Sequence, residues 1–340
     1  MPASSPANPA STGQPEGKKS AAEPALLAID WGTSSLRAVL LDASGQVQRE
    51  HRSAHGILSI PADGFAPFFE ANFSDWMCRN GKKRSVICLL SGMVGSRQGW
   101  REAAYCPCPA GPHDLARHMC WIEPGRIGIV PGLSHRWPAL IGADGLDTVP
   151  DVMRGEEVQV FGALRLLGLR DARLVLPGTH SKWVEVRNGC IVGFQTAMTG
   201  EVYALLRQHS ILARTLPAAA AHATEPWEPA VFDRAVAWAL CSPGLLTTAF
   251  STRTLALLDG VPAEDLLSHL SGLVIGEELR AQSAQGQLGA GTRVVVVGSG
   301  TLTERYARAL TQMAVQAEVL GESATWRGLL ELAQHLSAPN

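Results

Sequence analysis

The sequence predicts an α/β protein made of two domains that repeat one plan. The first observation is at residues 26–42, LLAIDWGTSSLRAVLLD, where two short apolar runs of strand character flank a polar turn. The second is at residues 174–196, LVLPGTHSKWVEVRNGCIVGFQT, where strand, G-T-x-S turn and strand recur before a third strand. The third is size, because 340 residues with 46% hydrophobic content can bury two cores. We expect domains at about residues 25–170 and 171–340, facing each other across a cleft, with the last helix able to pack back across the hinge.

The first polar turn has the composition of a phosphate-binding hairpin. Gly32, Thr33, Ser34 and Ser35 offer successive backbone N–H groups and small hydroxyls, with no bulky side chain to block a phosphate. Asp30, which ends the preceding apolar run, could hold a hydrated magnesium ion. For a single copy of this pattern, a plain hairpin with a polar turn is the alternative.

The second polar turn repeats the first at the same scale. Gly178, Thr179, His180 and Ser181 correspond to residues 32–35 in the G-T-x-S pattern. Two such turns in a duplicated chain favour a binding function, because a pseudo-symmetric pair of domains would place both at one cleft. We therefore interpret the cleft as a nucleotide site.

Periodicity predicts several elements between these motifs. Five aromatic side chains recur at helical spacing within residues 61–80, which indicates a core helix. Residues 85–90, 126–130 and 293–297 are short apolar runs typical of buried strands, and residues 266–279 have the pattern of an amphipathic helix.

A glycine-bearing loop follows the predicted strand at residues 85–90. Glycines let the backbone approach a ligand, and a polar loop at the C-terminal end of a strand is a common place for a small polar substrate. An ordinary strand-to-helix connection is the alternative. The candidate substrate residues of this loop are Gly92, Met93, Val94, Gly95, Ser96 and Trp100.

A charged segment precedes an apolar helical stripe at residues 151–167. Arg154 next to Glu156 would present a cation for a carboxylate substrate beside a carboxylate base. Glu157 points about 100° further round the helix, so only one of the two glutamates can face a cleft. The alternative is that both glutamates only stabilise the start of the helix through its dipole and that Arg154 forms a salt bridge.

A third glycine-rich turn lies near the C-terminus. Gly298, Ser299 and Gly300 connect the predicted strand at residues 293–297 to a helix, and such turns bring backbone N–H groups to a phosphate or ribose. The motif alone is weak, because the G-x-G-x-x-G pattern of dinucleotide-binding folds is absent.

Charge and hydropathy exclude several classes of partner. The net charge of −2 gives no basic excess for nucleic acid or for an anionic membrane surface. No apolar run reaches the roughly 18–20 residues that cross a bilayer. Residues 1–24 lack the apolar core of a signal peptide and are expected to form a disordered tail. We expect a cytoplasmic protein with small-molecule partners, and a homodimer is left open.

The seven cysteines include no C-x-x-C pair, so reduced thiols are expected rather than a disulfide framework. Cys106, Cys108, His113, His118 and Cys120 lie close in sequence and could be drawn as a zinc site. Their spacing is not that of a standard zinc knuckle, and ordinary thiols are the favoured interpretation.

Taken in order, the motifs resemble the duplicated ribonuclease-H-like domains of the actin, hexokinase and heat-shock-protein ATPase superfold. Within it, the chain resembles the 2-dehydro-3-deoxygalactonokinase family over nearly its whole length from about residue 25. The matching motifs are AIDWGTSSLRA (28–38), LSGMVGSRQGW (90–100), VPGL (130–133), DVMRGEEVQVFGA (151–163), LPGTHSKWV (176–184), MTGE (198–201), LSGLVIGEE (270–278) and VVGSGTLTERY (296–306). The resemblance implies ATP-dependent phosphorylation, with magnesium, of the 6-hydroxyl of 2-dehydro-3-deoxy-D-galactonate, an intermediate of galactonate catabolism.

The resemblance also implies residue roles. In related sugar kinases an acidic residue opens the last helix of the first domain, which corresponds here to Glu156 as the catalytic base. Arg154 would bind the substrate carboxylate with help from the backbone of residues 92–96, and Arg97 and Arg101 are possible substitutes. The alternatives are a kinase for another sugar or sugar acid, such as 2-dehydro-3-deoxygluconate, and a non-catalytic nucleotide switch on the same fold.

Overall fold

The computed structural model describes residues 24–78, 86–138, 148–217 and 226–336. The expected N-terminal tail lies outside these residues, apart from Pro24. In this part of the chain no helix is long and apolar enough to span a membrane. The strands form two main sheets and one small sheet.

The first main sheet comes from the N-terminal part of the chain. The strands of this part are β1 (Pro24–Trp31), β2 (Leu36–Asp42), β3 (Val47–Ser53), β4 (Ile87–Ser91), β5 (Cys106–Pro107), β6 (Cys120–Glu123), β7 (Ile127–Ile129), β8 (Leu133–Pro138) and β9 (Thr148–Met153). Six of them form the main sheet in the order β3-β2-β1-β4-β7-β6, and β5-β8-β9 form the small sheet. The first three strands are antiparallel neighbours, whereas β4 and β7 run parallel to β1.

The second main sheet repeats this order. Its strands are β10 (Ala172–Leu176), β11 (Ser181–Arg187), β12 (Cys190–Ala197), β13 (Arg293–Val297) and β14 (Gln316–Leu320). They are arranged as β12-β11-β10-β13-β14, with an antiparallel triplet followed by two parallel strands. The predicted fold class, two duplicated ribonuclease-H-like units, is therefore confirmed.

Helices cover both faces of the two main sheets. The helices are α1 (Phe65–Phe73), α2 (Pro112–Arg117), α3 (Glu156–Leu167), α4 (Thr199–His209), α5 (Pro229–Cys241), α6 (Leu245–Thr248), α7 (Ser251–Leu258), α8 (Ala263–Ala284), α9 (Thr301–Gln312) and α10 (Ser323–Gln334). Short 3-10 helices lie at Ile57–Ser59, Ser74–Met77, Met93–Gly95 and Ile211–Arg214.

Side-chain alternation along the strands separates the cores. On β1, Leu27 and Ile29 pack with the aromatic side chains of α1, whereas Leu26 and Ala28 belong to the core that contains α3 and α10. That core also contains strand residues of the second sheet, so α3 and α10 lie between the two main sheets. The outer face of the second sheet packs against α5, α8 and α9. The last helix therefore returns to the first half of the chain.

The expectation of a one-sided amphipathic helix at residues 266–279 is wrong. The helix is longer, as α8, and every side chain from Leu266 to Gly276 is buried. It is enclosed because α4, α5, α7 and α9 all contact it. Ser268, His269 and Ser271 made the sequence look one-sided, but each is buried against these neighbouring helices.

The two central helices cross at glycines. A Cβ atom on Gly162 of α3 would overlap the backbone carbonyl of Ala324, and one on Gly328 of α10 would overlap the carbonyl of Val158. Both glycines therefore allow backbone-to-backbone packing of α3 on α10.

We predict that Gly162→Ala lowers the free energy of unfolding by about 1–3 kcal/mol or more, because α10 has to move away from α3. Gly321→Ala, just before α10, is the matched control, since nothing lies within 4 Å of a Cβ atom there. Urea unfolding of both variants and the wild type measures the difference. Equal stability of the two variants would contradict close packing at this crossing.

Candidate functional site

A cavity of about 330 Å³ lies where the two halves of the chain meet. Its walls come from the C-terminal ends of β1, β4 and β10 and from the start of α3. The lining residues are Asp30, Gly32, Thr33, Gly92, Met93, Arg154, Gly155, Glu156, Gln159, Leu176, Pro177, Gly178, Thr179 and His180. Both predicted phosphate turns, the start of the glycine loop and the charged segment before α3 thus meet at one place.

The first phosphate turn is held by a glycine that sequence reasoning missed. The turn closes through a hydrogen bond from Gly32 N to Ser35 O at 2.9 Å, and Ile57 N donates to Gly32 O at 3.0 Å. A Cβ atom on Gly56 would overlap the Thr33 carbonyl, so only glycine lets this segment support the turn. The side chains of Ser34 and Ser35 are exposed and do not line the cavity.

The second turn is supported in the same way. A Cβ atom on Gly200 would overlap the Gly178 carbonyl, and Glu201 N donates to Thr179 O at 3.0 Å. His180 Nε2 lies 2.5 Å from Glu201 Oε2. The MTGE motif at 198–201 is therefore the support of this turn.

Ser181, the last residue of the predicted second turn, points away from the cavity. Its hydroxyl is fully buried and lies 2.8 Å from the hydroxyl of Tyr306. We expected this side chain to contribute to a phosphate site. Instead, Ser181 is the first residue of β11, and its side chain faces the core.

Asp30 lines the cavity and has one carboxylate oxygen available. Arg37 Nη2 donates to its Oδ2 at 2.5 Å, and Arg37 Nη1 also reaches Glu322 at 2.9 Å. Oδ1 accepts no hydrogen bond from the described residues. Magnesium usually takes one or two carboxylates together with substrate phosphates and water, and a single carboxylate beside two phosphate turns fits that pattern.

Arg154 carries donors that have no partner. Its Nη2 donates to Ala103 O at 2.7 Å, and the guanidinium lies 4.5 Å from the Tyr105 ring centroid. Nε and Nη1 are buried and have no hydrogen-bond acceptor among the described residues. The backbone of Gly95 makes room, since a Cβ atom there would lie 2.8 Å from Nη1. Buried donors are almost always satisfied, so two without an acceptor, on a residue that lines the cavity, indicate a missing partner.

The structure separates the two glutamates at the start of α3. Glu156 lines the cavity, and its Oε2 accepts from Arg154 N at 2.9 Å. Glu157 is fully buried, and both of its oxygens accept from Gly155 N. Of the two predicted catalytic glutamates, only Glu156 can meet a ligand in this cavity.

Burial perturbs both carboxyl groups. It raises the pKa of Glu156, and the positive charge of Lys182 opposes that rise. Burial and the neighbouring charge of Glu156 raise the pKa of Glu157 to about 8. Glu157 is therefore mostly protonated at neutral pH.

The predicted substrate loop divides into two parts. Gly92 and Met93 line the cavity. Val94 is part of the core under the first sheet, and Trp100 packs 5.5 Å from the Phe69 ring, so these side chains hold the loop in place. The Ser96 hydroxyl is buried without a hydrogen-bond partner among the described residues.

A second cavity of about 290 Å³ shares Gly178 and Thr179 with the first. Its other lining residues are Thr199, Gly200, Tyr203, Ser271, Val274, Ile275, Thr301, Leu302, Arg305 and Tyr306. Sequence reasoning missed these residues, because they come from α4, α8 and α9, which meet only in the folded chain. The predicted residues Gly298, Ser299 and Gly300 do not line this cavity but form the turn that starts α9.

The wall of this second cavity contains a buried carboxylate network. Glu278 accepts from Trp183 Nε1 at 2.6 Å, from Tyr306 OH at 2.5 Å and from the hydroxyl of Thr199. Burial raises the pKa of Glu278, and these donors oppose the rise. The network fixes β11, α4, α8 and α9 relative to one another.

The cysteine and histidine cluster does not form a metal centre. Cys106 Sγ lies 3.8 Å from His118 Nδ1. Nowhere in the described ranges do three or more His, Cys, Asp or Glu side chains come together to hold a metal ion.

Comparison with known proteins gives a consistent result. The family model described as 2-keto-3-deoxy-galactonokinase matches residues 30–332. The chain is 34% identical over 308 residues to the probable 2-dehydro-3-deoxygalactonokinase of Rhizobium meliloti (strain 1021), covering 90% of this chain and 95% of the relative. It is 30% identical over 312 residues to the 2-dehydro-3-deoxygalactonokinase of Escherichia coli (strain K12), covering 90% and 97%.

A solved structure is similar over the same length. It is a crystal structure of a Sinorhizobium meliloti protein to which the name 2-dehydro-3-deoxygalactonokinase is assigned provisionally. The TM-score is 0.79 at 34% sequence identity, and the match covers 91% of this chain and 98% of that chain.

We predict that Glu157 makes the wild type less stable as pH rises from about 4.5 to about 8. In this window the unfolded carboxyl has lost its proton while the folded one keeps it, so the unfolded state binds fewer protons and stability falls with pH. Glu157→Gln removes this contribution. Its stability relative to the wild type should therefore increase between about pH 5 and about pH 8, measured by urea unfolding.

Glu264→Gln is the control, because Glu264 is an exposed glutamate in the first turn of α8. Its stability relative to the wild type should change far less with pH. A pH-independent difference for Glu157→Gln would mean that Glu157 is ionised in the folded protein.

Proposed function

Because the chain belongs to the 2-keto-3-deoxy-galactonokinase family, we propose that it transfers the γ-phosphoryl group of ATP to the 6-hydroxyl of 2-dehydro-3-deoxy-D-galactonate. The products would be the 6-phosphate and ADP, in the catabolism of galactonate. The observation that carries the proposal is the pair of open donors on Arg154, in the same cavity as Glu156 and both phosphate turns.

The open donors suit the carboxylate of a sugar acid. A guanidinium binds a carboxylate through charge-assisted N–H···O hydrogen bonds, and Nε and Nη1 of Arg154 are the donors that have no acceptor among the described residues. Nη2 is already held by Ala103, and Tyr105 stacks on the guanidinium, so its orientation is fixed before a ligand arrives. Ser96, in the glycine-bearing loop after β4, also has a buried hydroxyl without a hydrogen-bond partner among the described residues.

In this proposal Glu156 acts as general base towards the acceptor hydroxyl. The proton of a primary alcohol has to leave as the oxygen–phosphorus bond forms, and a positioned carboxylate can accept it. The hydrogen bond from Arg154 N fixes one carboxylate oxygen, Oε2. The carboxylate-binding and proton-accepting groups are thus two residues apart and share one backbone segment.

The two phosphate turns suit the phosphates of ATP, and the second cavity suits its nucleoside. Gly178 and Thr179 line both cavities, so one ligand could pass from one to the other. Asp30 would hold magnesium, and the ion would supply neutralisation of the charge on the transferred phosphoryl group. Arg37 orients the Asp30 carboxylate through its other oxygen.

We predict ATP-dependent ADP release with 2-dehydro-3-deoxy-D-galactonate in a coupled assay. Its gluconate epimer tests how strictly one hydroxyl is recognised, and D-galactose tests the need for a carboxylate. Loss of a charge-assisted hydrogen bond costs about 1.5–3 kcal/mol, so kcat/KM for the neutral sugar should be about 10- to 100-fold lower. Turnover with D-galactose alone, or a lack of turnover with both sugar acids, would contradict the proposal.

We predict that Glu156→Gln slows single-turnover phosphoryl transfer by about 10²- to 10⁴-fold, while ATP and sugar-acid binding change little. Glu157→Gln is the matched control and should retain most of the rate, because Glu157 is buried away from the cavity. A loss of chemistry at residue 157 with none at 156 would move the base by one position. A loss at neither would return both glutamates to a structural role.

A further inference from the structure

Lys182 is unusual in this chain. Of the 29 basic residues 24 are arginines, and Lys182 is the single lysine within the ranges that the structure describes. Its side chain is buried, on β11 directly after the second phosphate turn. Burying an ammonium group costs several kcal/mol unless its surroundings compensate the charge. Its neighbours therefore show what this lysine does.

Four hydrogen bonds connect Lys182 and its neighbours, and three of them join the two halves of the chain. Lys182 Nζ donates to Val152 O at 2.8 Å and to Thr196 Oγ1 at 2.6 Å. Thr196 donates from Oγ1 and from its backbone N to the two carboxylate oxygens of Asp151, at 2.6 and 2.7 Å. We call Asp151, Val152, Lys182 and Thr196 the clasp, because it binds β9 to β11 and β12.

The clasp lies next to two parts of the wall of the first cavity. β9 ends at Met153, and the chain leads from there directly to Arg154 and Glu156. On the other strand, Lys182 is two residues beyond His180, which lines the cavity from the second phosphate turn. The clasp therefore fixes the segment that carries Arg154 and Glu156 relative to the second phosphate turn.

The charge of Lys182 also acts on Glu156. Lys182 forms no direct ion pair with a carboxylate in the described part of the chain, and the Asp151 carboxylate of the clasp is connected to it only through the Thr196 hydroxyl. Burial raises the pKa of Glu156, Lys182 lowers it, and Asp30 raises it. The other charged or titratable side chains around this carboxylate are Arg154, Glu157 and His180.

We propose that Lys182 is a positioning residue for phosphoryl transfer: it fixes Glu156 relative to the second phosphate turn, and its charge favours the anionic form of the base. The inference rests on the proposed function for its role in catalysis. The effect on Glu156 itself can be measured without turnover. Because a protonated carboxyl cannot accept the alcohol proton, loss of the lysine charge would leave less active base near neutral pH.

The test compares a variant that loses the charge with one that keeps the charge and loses the hydroxyl at the centre of the clasp. Lys182→Gln keeps N–H donors for Val152 O but removes the charge, and Lys182→Met is the second neutral variant should the amide disturb packing. Thr196→Val removes the hydroxyl that accepts from Lys182 Nζ and donates to Asp151 Oδ1. It keeps the ammonium, the bond from Lys182 to Val152 O and the backbone bond to Asp151 Oδ2. Carboxyl ¹³C NMR of glutamate-labelled protein follows each titration, and the Glu156 signal is assigned by its absence in Glu156→Gln.

We expect the Glu156 midpoint to move to higher pH in Lys182→Gln and to stay near the wild-type value in Thr196→Val. If the protein is active, the acid limb of its kcat–pH profile should move in the same direction in Lys182→Gln only. Equal midpoints in all three proteins would overturn the inference and leave Lys182 a structural role. A protein without kinase activity but with a shifted midpoint would reject the proposed function and retain the electrostatic coupling.

Discussion

The close crossing of α3 and α10 is the constraint on which the cavity depends. Gly162 and Gly328 let the two backbones touch, so both helices fit between the main sheets. The position of α3 fixes where its first turn lies, and that turn begins with Glu156, two residues after Arg154. The start of α10 adds a second link, because Glu322 binds Arg37 and Arg37 binds Asp30. Residues at the two ends of the chain thus determine one site.

Three carboxyl groups near this site have different surroundings, and the surroundings separate their roles. Asp30 is paired with an arginine and keeps one oxygen towards the cavity. Glu156 is partly buried and lines the cavity, where burial disfavours its charge and a lysine favours it. Glu157 is one residue further along and is enclosed, so it holds its proton to about pH 8. Groups with perturbed and divergent pKa values are typical of active sites.

The two predicted phosphate turns are alike because the two halves repeat one plan, and the elements that are not repeated distinguish the halves. Gly56 and Gly200 support the two turns by the same close backbone contact, and they follow the first glycine of each turn by 24 and 22 residues. The first half adds the small β5-β8-β9 sheet, whose last strand leads to Arg154. The second half adds α4 to α8, and of these α4 and α8, together with α9, line the second cavity.

The sequence by itself determined what short-range pattern can encode: the repeated strands, the G-T-x-S turns, the duplicated fold and the family. It also brought Asp30, Arg154 and Glu156 forward as candidates. Only the tertiary structure decided which glutamate faces the cavity, that Ser181 turns into the core, and that α8 is buried on every side. These outcomes depend on contacts between residues far apart in the chain, such as Arg154 with Ala103 and Lys182 with Val152. Local periodicity predicts the exposed face of an element only when one face meets water. The centre of α8 is covered on all faces, and the helices that cover it come from other segments of the chain.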